Sequence, residues 1–143
     1  MFRMIASSLA VSLALTGVAA AEDFEVKMLN RGDGGTMIFE PAFLQIATGD
    51  TVTFVAEDRG HNAESIDGMI PEGATAFEGR VNEEIDVTFD VEGLYGVRCK
   101  PHFAMGMVMT IAVGEIDAAP DSFLEGRIPR SAMGRFEEQI SNL

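Results

Sequence analysis

Gly93-Leu94-Tyr95-Gly96-Val97-Arg98-Cys99-Lys100-Pro101-His102-Phe103-Ala104-Met105-Gly106-Met107-Val108-Met109-Thr110-Ile111-Ala112-Val113-Gly114 reads as two strands and the loop between them. Gly93 turns the chain. From Leu94 to Cys99, Tyr95, Val97 and Cys99 share one face, the period of two that marks a strand. Met107 to Val113 is almost wholly apolar and stops at Gly114, which suits a strand in the middle of a core.

Upstream the same period recurs. Ile85, Val87 and Phe89 alternate with Asp86 and Thr88. Thr51 to Ala56 puts Val52 and Phe54 on one face, after a tight turn at Gly49-Asp50. Phe24, Val26 and Met28 alternate with Glu25 and Lys27. Asn30 to Gly35 is a turn, Met37 to Glu40 a short strand ended by Pro41, and Phe43 to Ala47 another strand. Ile66 to Arg80 has no clean period and is broken by Gly68, Pro71, Gly73 and Gly79, so a long surface loop is expected, with one helical turn over 74–77. Short strands at intervals of roughly 8–12 residues, with turn signals between them, predict an all-β sandwich or barrel. The tail changes character. Asp121 can cap a short helix over 122–125. Pro129 suits the first turn of a second helix, in which Ala132, Met133, Phe136 and Ile140 line one face. Both helices are expected to lie against the sandwich.

The 143 residues suit one domain with a core of useful size. Its first residues read as something else. Met1-Phe2-Arg3 is positively charged, Ile5 to Gly17 is uncharged and mostly apolar, and Ala19-Ala20-Ala21 precedes the polar Glu22-Asp23. That is the layout of a secretory signal peptide, and the run is shorter than the ~20 apolar residues a membrane span needs. Residues 1–21 are therefore expected to be removed, after Ala20 or Ala21, leaving a soluble domain over 22–143 in the periplasm. The net charge is −13. It argues against nucleic acid and anionic membrane surfaces as partners, and a positively charged protein fits more easily.

Export sharpens the reading of Cys99. It is the only cysteine of the chain, so no internal disulfide can form in an oxidising compartment. A free thiol, an intermolecular bridge and a metal ligand remain. His102, one of only two histidines, follows three residues later, and Met107 five residues after that. His61, the other histidine, lies in Gly60-His61-Asn62 beyond a strand. Thiolate, imidazole and thioether are donors that suit copper in both Cu(I) and Cu(II). A trigonal His2Cys set with a weak axial Met lies between what the two ions prefer, so little has to move when an electron arrives or leaves. Zinc is the rival, but structural zinc sites use Cys and His rather than Met. Each residue alone has a blander reading. A lone His serves many roles, and most of the nine methionines should fill the core. The joint spacing carries the inference. Metal catalysis needs an open coordination position. Four protein ligands leave none, which predicts a carrier rather than an enzyme.

These residues also carry a family resemblance. The mature chain resembles the pseudoazurins, type 1 (blue) copper proteins of the cupredoxin superfamily. It does so in Glu25-Val26-Lys27-Met28-Leu29-Asn30, Phe39-Glu40-Pro41, Gly49-Asp50-Thr51-Val52-Thr53-Phe54, Gly60-His61-Asn62, Met69-Ile70-Pro71-Glu72-Gly73-Ala74 and Cys99 with Pro101 to Met107. The resemblance implies an eight-stranded Greek-key sandwich (cupredoxin-like, plastocyanin-like) with two C-terminal α-helices. It places one copper ion on His61, Cys99, His102 and Met107. It implies that Asn62 ties the two ligand loops together, that Met37 packs near an exposed His102, and that Pro101, Phe103, Ala104 and Met105 form an apolar docking patch. Lys100 departs from the small polar residue usual there. The implied function is a monomeric periplasmic electron carrier that serves a redox partner such as nitrite reductase, a c-type cytochrome or a dehydrogenase. Arg31, Arg59, Arg98 and Lys100 are expected to keep a small basic rim around the patch, opposed by Glu78 and the negative total, with Arg59, Arg98 and Lys100 orienting the partner. The alternative is a copper chaperone or storage protein, which would favour exposed, exchangeable Met or His clusters.

Overall fold

The computed structural model describes residue 17 and residues 19–143; most of the expected signal peptide lies outside the described residues. Eight strands follow in order: β1 (Asp23–Gly32), β2 (Gly35–Glu40), β3 (Phe43–Ile46), β4 (Thr51–Val55), β5 (Glu64–Ser65), β6 (Ile85–Thr88), β7 (Gly93–Arg98) and β8 (Val108–Val113). They form two four-stranded sheets, ordered β2-β1-β4-β6 and β3-β8-β7-β5. The architecture is therefore a sandwich rather than a closed barrel. β1 pairs in parallel with β4, and β3 in parallel with β8; the other pairings are antiparallel.

Alternation decides which side chains meet between the sheets. Val26 and Met28 from β1, Val52 and Phe54 from β4, and Tyr95 and Val97 from β7 point into the main core. Met109, Ile111 and Val113 join them from β8. Phe39 packs edge-on to Phe54, and Phe89 edge-on to Tyr95, at centroid distances of 6.2 and 4.9 Å. Edge-to-face rings gain about 0.5–1.5 kcal/mol beyond their burial.

β8 is buried along its whole length, and apolar but for Thr110, because both its faces are covered. Val108 and Ala112, on the face away from the main core, pack in a second cluster with Leu94, Phe123, Ala132 and Phe136. The tail supplies that cover through one α-helix, α1 (Arg130–Ile140), which begins directly after Pro129. Gln139 on α1 is buried as well. Its amide accepts from the Thr110 hydroxyl at 2.9 Å and donates to the Val108 carbonyl at 3.0 Å, pinning the helix to β8.

Three local expectations are corrected. The helix predicted over 122–125 is a single 3-10 turn, Asp121–Leu124, without a side-chain cap; four residues close too few bonds to hold an α-helix. The helical turn predicted over 74–77 does not form. Phe77 instead exchanges backbone and hydroxyl hydrogen bonds with Ser65, and Glu78 forms a bridge with Glu64. Lastly, β5 went unread in the sequence, because two residues carry no period.

Candidate metal centre

Four segments meet at one end of the sandwich. β1 and β4 run in parallel, so the last residues of β1 lie at the same end as the loop that leaves β4 and carries His61. β7 ends there and β8 begins there. The chain between them closes as a 3-10 turn, Lys100–Met105, with Pro101 in its first turn and Gly106 ending it at φ 90°. A left-handed residue of this kind favours glycine.

His61 is fully buried. Its Nε2 lies 2.8 Å from the side-chain oxygen of Asn30. A carbonyl oxygen can only accept, so Nε2 carries the proton and Nδ1 keeps a free lone pair. That lone pair faces inward: His61 Nδ1 is 3.1 Å from His102 Nδ1 and 3.7 Å from Cys99 Sγ. Cys99 Sγ is 3.5 Å from His102 Nδ1. The three donor atoms all lie within 4.8 Å of one another. Burial, and then the neighbouring His102, lower the His61 pKa against a smaller opposing pull from Asp58, which favours the neutral form that metal binding requires. Burial pushes the Cys99 thiol up, and Glu64 adds to that push; the backbone N–H groups of Asn62 and His102 draw it partly back. Met107 is fully buried. Its N–H donates to the His102 carbonyl at 3.1 Å, and its carbonyl accepts the Cys99 N–H at 3.0 Å.

Residues 26–114 match the copper binding proteins of the plastocyanin/azurin family. A pseudoazurin from Paracoccus pantotrophus is 39% identical over 97% of this chain and 96% of its own. The chain belongs to the pseudoazurin family. A pseudoazurin from Methylorubrum extorquens is 47% identical over 77% of this chain and 74% of its own. The crystal structure of native pseudoazurin from Hyphomicrobium denitrificans superposes with a TM-score of 0.77 at 37% identity, covering 85% of this chain and 98% of that one.

As in other pseudoazurins, the cofactor is copper. The donors present fit it. The Nδ1 atoms of His61 and His102 face each other at 3.1 Å with the Cys99 sulfur beside them, a spacing that calls for a cation or a shared proton between the two nitrogens. One sulfur with two nitrogens suits a metal of intermediate softness.

Around the donors the structure adds contacts that spacing could not reveal. Asn62 does join the two loops: its side-chain oxygen accepts the Lys100 N–H at 2.7 Å. Its amide nitrogen donates to Glu64 at 3.1 Å and to the Gly79 carbonyl at 3.0 Å. Glu64, buried, also accepts from Arg98 Nε at 2.7 Å. Arg98 is therefore not a free rim charge, and its guanidinium lies over the Phe103 ring at 5.0 Å. Arg59 and Lys100 are exposed. Asn82 closes over His61, donating its N–H to the His61 carbonyl at 2.8 Å and accepting the Gly60 N–H at 2.7 Å. Of the residues expected in the apolar patch, Pro101 and Ala104 are exposed, Met105 is 52% exposed, and His102 and Phe103 are half-buried. Met37 packs against the main core, with its backbone at φ 51°. Sequence reasoning missed Asn30, Glu64 and Asn82 as supporting residues. They are common polar types, remote in sequence, and Asn30 reads only as part of a turn.

Proposed function

We propose that this protein is a periplasmic electron carrier whose single copper is held by His61 Nδ1, Cys99 Sγ, His102 Nδ1 and the thioether of Met107. Copper bound there would supply the one-electron couple Cu(I)/Cu(II). One observation carries the reading. Asn30 fixes His61 in the tautomer whose free nitrogen faces Cys99 and His102, so the donors are set before metal enters. A rack of this kind resists the rearrangement that each change of oxidation state would otherwise demand. Burial of His61, Cys99 and Met107 excludes water from three of the four donors. It also disfavours the chaperone or storage alternative, which needs exchangeable ligands. His102, half-buried among Pro101, Phe103, Ala104 and Met105, offers the route by which electrons pass to a partner. The apolar patch suits a small, dry, short-lived contact. A nitrite reductase, a c-type cytochrome or a dehydrogenase would each fit that role.

The test is optical. Cu(II) added to the purified mature protein should give an intense visible colour, bleached by ascorbate and restored by oxidation. Cys99→Ser should abolish it. Uptake of copper by the Ser variant with an unchanged spectrum overturns the reading.

A further inference from the structure

Arg135 lies on α1, away from the ligand loops in sequence, yet three carbonyls converge on its guanidinium. Nη1 donates to Gly106 O at 2.9 Å and to Met37 O at 2.7 Å, and Nη2 donates to Thr36 O at 2.8 Å. A planar fork of five donors can hold several acceptors at fixed angles, which an ammonium cannot.

Gly106 O belongs to the peptide that carries Met107. The other polar group of that peptide, the Met107 N–H, is held inside the loop by His102 O at 3.1 Å. The Met107 carbonyl is held inside the loop as well, by Cys99 N–H at 3.0 Å. Arg135 is the contact that fixes this peptide plane from outside the loop. There is little slack. A Cβ at Gly106 would stand 3.0 Å from the Ser131 carbonyl oxygen, so the first turn of α1 lies directly against the loop. The helix in turn is fixed to β8 by Ala132, Phe136 and Gln139.

We propose that Arg135 is a positioning residue for the metal centre: through the Gly106 carbonyl it sets where the Met107 thioether sits relative to the copper. This rests on Met107 being a copper ligand, as proposed above. The axial ligand is one of the levers on the potential of such a site. Releasing the Gly106 peptide lets the thioether retreat. The loss of that electron pair costs the more highly charged ion more, so the potential rises.

The experiment uses the copper-loaded mature protein and reads the Cu(II) absorption spectrum, its paramagnetic resonance and the reduction potential. Arg135→Met should still bind copper, with an altered spectrum; its lost positive charge opposes the rise in potential, so the potential is read on the Lys variant. Arg135→Lys, which keeps the charge but not the fork, should alter the spectrum by less and raise the potential, and it serves where the Met variant folds poorly. Gln139→Met removes the other polar anchor of α1. It should lower the melting temperature and leave spectrum and potential unmoved. Met107→Leu separates the two claims. If it leaves the spectrum unchanged, the ligand assignment fails. If it moves the spectrum while both Arg135 variants leave spectrum and potential at wild-type values, the positioning role of Arg135 is refuted. Adding Arg135→Met to Met107→Leu should move the spectrum no further; a full additional shift would also overturn the proposal.

Discussion

Glu64→Gln looks conservative and should not be. Glu64 Oε1 accepts from Arg98 Nε at 2.7 Å and Oε2 accepts from Asn62 Nδ2 at 3.1 Å. An amide offers one oxygen and one NH2. If the oxygen faces Arg98, the NH2 meets the Asn62 NH2, donor against donor. Turning Asn62 over to relieve this would aim its NH2 at the Lys100 N–H, which Asn62 Oδ1 now accepts at 2.7 Å. No arrangement satisfies all three contacts. A hydrogen bond to a charged group contributes about 1.5–3 kcal/mol, and an unsatisfied buried donor costs about 1–3 kcal/mol. The Arg98 side chain is 29% exposed, so its share belongs at the low end. The sum is about 3 kcal/mol, or roughly 10 °C in melting temperature for a domain of this size. The potential should move too. Glu64 opposes ionisation of Cys99, and a negative charge beside the metal likewise opposes reduction. Its removal should raise the potential. Denaturant unfolding of the metal-free protein and voltammetry of the copper form measure the two effects. A loss below about 1 kcal/mol together with an unchanged potential would refute the network argument. Adding Arg98→Met should recover part of the stability, since it removes the orphaned charge.

Other perturbations probe separate parts of the molecule. The His61 pKa is lowered in the folded protein, so at acid pH the unfolded chain takes up a proton more readily than the folded one. The metal-free protein should keep its full stability above the ordinary value of about 6.5. It should lose up to about 1.4 kcal/mol per pH unit as pH falls from there through the lowered folded value; urea titrations across that window test the slope, and His61→Phe should flatten it. Gly134 sits inside α1 with open space around it. Gly134→Ala should stabilise by about 0.5–1 kcal/mol, seen as a rise of a few degrees in melting temperature. Reversing the exposed charges, Arg59→Glu with Lys100→Glu, should slow electron exchange with an acidic redox partner at low salt, with the difference closing as ionic strength rises. Equal rates at low salt would remove these two residues from docking.

Much of this architecture was legible because backbone period and burial coincide. β6 alternates and so announces its inward face, and β8 announces through a run that is apolar but for Thr110 that both its faces are covered. β5 was not legible, because its pairing is imposed by β7 and by the returning Phe77 segment rather than by its own residues. At the metal centre, a unique thiol with His102 and Met107 at short spacing could be read directly, and the structure brings His61 to Cys99 and His102. The second layer could not be read. Asn30, Glu64, Asn82 and Arg135 are polar residues of ordinary kinds whose roles arise only when distant segments are brought together. Arg98 shows the converse: its charge suggested a rim, but the fold spends it on a buried carboxylate.

Of the three donors that the fold gathers, two are sealed in the interior and His102 alone reaches the surface. On the reading proposed above, metal loading and electron exchange would share one doorway. A redox partner seated there would act as a stopper as well as a contact, so the moment of transfer would also be the moment at which copper is least able to escape.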